Sequence, residues 1–352
     1  MFDAVLDHLR TLVAADTTNP PRAITRAHPA VAHAQVTLDA AGFTVDIEDL
    51  GDGCLNLLAT RGATDLLFNC HLDTVPADSE WAGDPHELRI ESGRAIGLGA
   101  CDIKGAAACL LAAATASDGD AAILLTTDEE AGTSRCVRMF APTCVDRFEG
   151  VVVAEPTGCV AVTAHRGLLS GEVVFRGTGG HASGGGASSA LHDLVRWGTA
   201  CASASELAAH RFNLGRVEGG EKANMIASLA SARFGFRAAP GSETAAILRA
   251  VQAAAPEGSR CEWTTRFEGP ALAPRSESPA LAERLGVEVG TPVDFWTEAA
   301  IFAGAGIPAI VFGPGDIAQA HAAGEHVALE QLERAAHAYR TVFAGVKEGA
   351  AS

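Results

Sequence analysis

The chain has 352 residues, of which 48% are hydrophobic and 20% charged, so an intrinsically disordered or low-complexity scaffold is excluded. Acidic residues outnumber basic ones by 43 to 26, giving a formal net charge of -17; neither a nucleic-acid surface nor a polybasic membrane patch is expected. At roughly 100–200 residues per domain, the length suits two domains.

The opening MFDAVLDHLR carries acids where a secretory signal would carry a basic stretch before an apolar run. No apolar window is long enough to span a bilayer. Nine cysteines, an odd number without a CxxC, fit a reduced cytoplasmic protein better than a disulfide framework. Residues 2–15 form an amphipathic helix pattern, with Phe2, Val5, Leu6, Leu9, Leu12 and Val13 on one face. The loop Thr17-Thr18-Asn19-Pro20-Pro21 ends it, and a second helix is predicted over 28–41, closed by Gly42. Apolar runs follow at 66–70, 121–127 and 151–154, with an Ala/Leu-rich helix at 104–117 between the first two. Such runs between helices predict an α/β domain with a mostly parallel sheet flanked by helices. Near residue 166 the pattern changes. Residues 169–176 alternate as a strand, a helix follows at 188–209, then strands at 212–218 and 224–237, a helix at 242–255 and a strand at 259–267. That β-α-β-β-α-β order predicts an inserted ferredoxin-like α+β domain over 167–271, leaving 1–166 and 272–352 as a discontinuous first domain. There the α/β texture returns, with a helix at 278–286, a strand at 309–312 and a last helix at 328–346.

What stands immediately after each apolar run carries the chemistry. His71-Leu72-Asp73 follows the first, Asp128-Glu129-Glu130 the second and Glu155-Pro156 the third; Ile310-Val311-Phe312 leads through Gly313-Pro314-Gly315 to His321. Asp102 stands in a glycine-punctuated loop before a helix. Ligands of open α/β sheets bind outside the carboxyl ends of the strands, so these groups are expected at one edge. A cluster of carboxylates there would repel itself unless cations were bound, and imidazole with carboxylate suits zinc or a similar divalent ion. Any single acid after a strand is more often a cap or a solvated loop charge; the set is what argues for a site. One metal uses too few of the groups. Two metals sharing a bridging carboxylate would use His71, Asp102, Glu130, Glu155 and His321, and would leave Glu129 free as a general base. Asp73, two residues past His71, is placed to orient that imidazole.

Six stretches resemble the M20 family of di-zinc metallopeptidases and amidohydrolases in the family's own order. They are His71-Leu72-Asp73-Thr74-Val75-Pro76, Gly99-Ala100-Cys101-Asp102-Ile103-Lys104-Gly105, Thr127-Asp128-Glu129-Glu130-Ala131-Gly132, Ala154-Glu155-Pro156-Thr157, Gly179-Gly180-His181-Ala182-Ser183, and Gly313-Pro314-Gly315 with His321. Cys70 departs from the glycine usual before the first histidine, and Ala227 from a common proline. The resemblance implies two Zn2+ ions, or Co2+, with Asp102 bridging, His71 and Glu155 completing one site, Glu130 and His321 the other, and Glu129 as the base. It implies that the inserted domain is a lid and dimerisation domain, and that His181 reaches the neighbouring subunit's site and helps polarise the scissile carbonyl. Asn224, Arg237, Thr297, Glu298 and Gly313 are implied substrate contacts, with Arg237 clamping an α-carboxylate and Glu298 facing an amine. Trp296-Thr297-Glu298-Ala299 resembles the acetylornithine deacetylase branch, and Asp16-Thr17-Thr18-Asn19-Pro20-Pro21 a subgroup acting on N-acetylcitrulline. The activity so implied is removal of the N-acetyl group from a small N-acetyl amino acid of arginine biosynthesis by a cytoplasmic homodimer. A desuccinylase, a dipeptidase or carboxypeptidase of the same family, and a non-catalytic amino-acid-binding homologue stand as alternatives.

Overall fold

The computed structural model describes residues 1–21 and 24–345. The chain divides into two compact units: residues 1–163 with 274–292 and 297 onward, and residues 164–273 with 293–296.

The first unit is built on a six-stranded sheet in the order Thr44–Asp49, Leu55–Arg61, Ala121–Thr126, Leu66–His71, Gly150–Val153, Ala309–Val311. The last four run parallel, and the first two are added antiparallel at one edge, so the sheet is mixed. Every residue of Leu66–His71, Ala121–Thr126 and Gly150–Val153 is buried, which is why these strands read as unbroken apolar runs rather than alternating ones. The helix Lys104–Thr115 is buried along almost its whole length, because Phe2–Ala14, Pro29–Ala40 and Leu329–Phe343 pack around it. Its alanines permit that close approach of helices. The two antiparallel strands Thr44–Asp49 and Leu55–Arg61, the short helix Arg135–Phe140 and the short helix Ala299–Gly304 are additions to the sequence reading.

The second unit is a four-stranded antiparallel sheet ordered Asn213–Gly219, Leu229–Phe236, Leu168–Arg176, Arg260–Gly269, with helices Ala190–Ser203 and Thr244–Ala253. The chain order and strand order are those of a ferredoxin-like domain. Burial alternates strictly along Leu168–Phe175, as a one-sided sheet requires. Trp197 is fully buried and meets Phe175, Phe212, Phe234 and Trp263 at ring centroid distances of 5.6–5.8 Å. Two expectations are corrected here. The strand over 224–237 is broken between Met225–Ile226, which pairs with Gly180–His181, and Leu229–Phe236. The helix over 188–209 is interrupted at Ala204, whose extended backbone (φ -69°, ψ 121°) separates Ala190–Ser203 from Ser205–Ala208.

Candidate active site

Because the four parallel strands point the same way, the residues that follow them meet at one edge of the sheet. His71 ends its strand at 2% exposure. Its Nε2 lies 3.2 Å from Asp102 Oδ1 and 3.7 Å from Glu155 Oε1. Its Nδ1 lies 3.0 Å from the Asp73 carbonyl oxygen and 3.4 Å from Asp73 Oδ1. Across the cleft, His321 Nε2 lies 2.9 Å from Glu130 Oε1 and 3.3 Å from Asp102 Oδ2. Asp102 thus offers one oxygen to each imidazole. His71, Asp102 and Glu155 present ligand atoms all within 4.8 Å of one another, and so do Asp102, Glu130 and His321. Glu129 belongs to neither trio.

Asp73 does more than face His71. Its carboxylate accepts from the backbone N–H of Glu129 (3.3 Å) and of Glu130 (3.0 Å), and from Asn19 Nδ2 (2.9 Å). It therefore ties the first histidine to the turn that carries both adjacent acids. The third acid of that run, Asp128, turns the other way. It accepts from the N–H groups of Arg135 (2.5 Å) and Cys136 (3.2 Å) and from Thr133 Oγ1 (3.1 Å), capping the helix that follows.

The electrostatics are those of an acid cluster short of positive charge. Burial, reinforced by neighbouring acids, raises the carboxyls of Glu129 and Glu155 well above their ordinary value, and burial also raises Glu130. Asp102 goes the other way: burial opposes its charge, but hydrogen bonds with His321 and His71 hold it below the usual carboxylate range. Hydrogen bonds to Asp102 and Glu130 carry His321 up to about 10, and at His71 the carboxylates of Asp102 and Asp73 outweigh burial. Each trio supplies one imidazole nitrogen and two carboxylate oxygens, a donor set that fits zinc or cobalt, and three protein ligands leave a position open as catalytic sites do. Cys70 and Cys101 adjoin His71 and Asp102 but are buried, with burial pushing both thiols up, so they fit packing rather than a thiolate role.

The other sequence-selected residues are placed as follows. Gly313 passes so close to Glu155 that a Cβ would stand 2.6 Å from the Glu155 carbonyl oxygen; it holds that segment through backbone proximity. Thr297 is fully buried and Glu298 is 1% exposed. With the Asn69 amide nitrogen turned towards it, Glu298 Oε2 accepts at 3.2 Å. Burial, with Asp128 adding to it, lifts this carboxyl to about 8. In the second unit His181 is exposed, hydrogen-bonded through Nδ1 to Ser183 Oγ at 2.7 Å, and paired in register with Met225, beside Asn224. Arg237 is half-buried just beyond the far end of the eight-residue strand Leu229–Phe236, which spans about 26 Å at the usual strand rise. The unit brings His181 and Asn224 together and sets Arg237 apart from them.

Three residues were not singled out from the sequence. Asn19 anchors Asp73; Lys104 is fully buried and donates to the Ala15 carbonyl at 3.0 Å; Glu325 is 2% exposed and accepts from three backbone amides of the Asp102 loop. A bare Asn, Lys or Glu in a loop gives no periodic or spaced signal, although Lys104 and Asn19 do lie inside the motifs quoted above.

Residues 67–344 match the family model described as Peptidase family M20/M25/M40, and the chain belongs to that family. It is 46% identical over 365 residues to the N-acetyl-L-citrulline deacetylase of Xanthomonas campestris pv. campestris, a match covering 98% of this chain and 99% of that protein. It is 31% identical over 366 residues to the acetylornithine deacetylase of Myxococcus xanthus, covering 93% of each. The crystal structure of aminopeptidase PepT from Bacillus cereus shares the fold, with a TM-score of 0.80 at 18% identity over 98% of both chains.

Proposed function

We propose that this chain removes the acetyl group from N-acetyl-L-citrulline, with N-acetyl-L-ornithine as the weaker substrate. The observation that carries the choice of substrate is the 46% identity to an N-acetyl-L-citrulline deacetylase over essentially the full length of both proteins. The 31% likeness to an acetylornithine deacetylase supports the same reaction on a related side chain.

Two divalent ions, Zn2+ or Co2+, would be held by His71, Asp102 and Glu155 on one side and by Asp102, Glu130 and His321 on the other. When bound they supply Lewis acidity to the amide carbonyl and make water a stronger acid. Glu129, outside both trios and steered by Asp73 through its backbone N–H, takes the proton from the attacking water and delivers it to the leaving amine. Acetate and a free amino acid are the products.

The second unit is read as a lid through which a homodimer forms. Val195, Val217, Met225 and Leu229 lie 46–55% exposed on it, apolar surface that a subunit contact would cover. His181 and Asn224, brought together at one end of its sheet, are read as serving a neighbouring subunit, and Arg237 as the clamp for the substrate α-carboxylate. No helix among the described residues is long and apolar enough to cross a membrane. The cysteines form no disulfide among the described residues, which supports a reducing compartment such as the cytoplasm.

The reading is tested by kcat/KM for N-acetyl-L-citrulline, N-acetyl-L-ornithine, an N-succinyl amino acid and a dipeptide, with Zn2+ or Co2+ restored to the stripped protein. Release of acetate from the acetylcitrulline should be the fastest reaction. Preference for the dipeptide would replace the proposal with a peptidase.

A further inference from the structure

The loop that delivers Asp102 to the cleft is gripped by one side chain. Glu325 Oε1 accepts from the backbone N–H of Cys101 (2.9 Å) and of Asp102 (2.9 Å), and Oε2 from that of Gly99 (3.0 Å). Its own carbonyl accepts from Gly97 N–H at 3.1 Å, and the next residue, His326, pairs with Ile96 in the strand leading into the loop. Glu325 therefore binds the segment 96–102 from main chain and side chain together. It is 2% exposed, so these hydrogen bonds are made without competition from water. The buried ammonium of Lys104, two residues past Asp102, acts on the same carboxylate.

The loop has no slack with which to hold itself. Gly99 sits at φ +78°, where an added Cβ would stand 2.6 Å from Thr74 Cγ2. A Cβ at Gly105 would stand 2.4 Å from the Ala100 carbonyl oxygen. Glu325 also lies four residues beyond His321, in the segment that brings this imidazole within 3.3 Å of Asp102 Oδ2. One carboxylate thus connects the segment of one metal-ligand candidate to the backbone of the residue common to both trios.

We propose that Glu325 is a positioning residue: by accepting three backbone amides it fixes the placement of the Asp102 carboxylate between the two trios, and so sets the affinity of the cleft for a pair of divalent cations. This rests on the metal reading given above. Glutamine cannot replace it. An amide oxygen can still accept from Cys101 and Asp102, but the amide NH2 would then face the Gly99 N–H, donor against donor. Aspartate keeps the charge but is one methylene too short to reach all three amides.

The test uses the full chain, stripped of metal and titrated with Zn2+ against a chromophoric chelator. Wild type should take up two ions. Glu325→Gln should bind them about 10- to 100-fold more weakly, the range found when groups that orient ligands are lost, while its far-UV circular dichroism stays native. With Co2+ in place of Zn2+, the visible absorption of the variant should change in intensity and position, and kcat should fall with KM nearly unchanged. Glu325→Asp should fall between the two. Wild-type affinity and cobalt spectrum in Glu325→Gln would overturn the inference. A wild type that takes up no ion pair would instead overturn the metal reading, so the two failures are separable. Should Glu325→Gln not fold, hydrogen exchange on metal-free wild type decides: the Gly99, Cys101 and Asp102 amides should be protected without any ion, and fast exchange there refutes the role.

Discussion

The two units bury different things. Among the described residues every buried acid lies in the first: Asp73, Asp102, Asp128, Glu155, Glu298 and Glu325, with Lys104 and His71 among them. The second buries Thr244 and His165 as its only polar residues and builds its centre from Trp197, Phe175, Phe234 and their apolar neighbours. Desolvating a charge costs several kcal/mol unless it is met by an opposite charge or by hydrogen bonds. The first unit meets that cost with backbone amides at Asp73, Asp128 and Glu325, and leaves the remainder, at Glu129, Glu130 and Glu155, as a demand for cations. The second keeps its polar residues, His181 and Asn224, on the surface, where they cost nothing until something docks on them. The metal-ligand candidates belong to the unit that is electrostatically incomplete by itself.

The sharpest break of this contrast is Glu129→Gln. It removes the proposed proton carrier without touching a trio, so kcat should fall by about 10²–10⁴, the usual span for a general base, with two ions still bound by metal analysis. A variant that retains wild-type turnover would move the base elsewhere. Next in size is His181→Ala in the second unit. Alone it should lower kcat with metal content unchanged; mixed with an Asp102→Ala protein, it should recover part of the activity, because heterodimers restore one complete site when His181 acts on the partner's cleft. No recovery after subunit exchange would confine His181 to its own chain. The smallest effect concerns the outer layer of the first unit. His8 Nδ1 lies 2.9 Å from His33 Nε2 between the two N-terminal helices. Burial first, then His33, lower its pKa from 6.5 to about 4. Between those values the unfolded chain takes a proton that the folded chain refuses, so stability present above pH 6.5 is lost as pH falls towards 4. Thermal melts at pH 7 and pH 4.5 should show a smaller drop for His8→Gln than for wild type, and equal drops would remove this pair as a cause. The aromatic core of the second unit, which contains neither acid nor imidazole, adds nothing to that slope.

Legibility in the sequence followed unbroken apolar runs more than burial alone: the mostly buried Leu55–Arg61 is interrupted by Asn56, Thr60 and Arg61 and did not stand out. Strands 66–71, 121–126 and 150–153 are covered on both faces and stood out as apolar runs, and the acids after them were visible by contrast. The strand Thr44–Asp49 is mostly exposed and polar, so it left no such trace. The helix Arg135–Phe140 is only six residues long and is capped by Asp128, whose side chain is indistinguishable in sequence from its two neighbours. Glu325 was silent for a related reason. A carboxylate that grips backbone amides needs no particular residue type opposite it, so no motif records the partnership.

The Asp73 carboxylate has one consequence for how such a cleft ages under mutation. Since it steadies the imidazole of His71 and also pins the turn bearing Glu129 and Glu130, a shift of this one group drags imidazole and turn in concert. Small displacements of the scaffold would then carry the reacting parts along as a set, preserving their mutual spacing, whereas deletion of the group would release both at once.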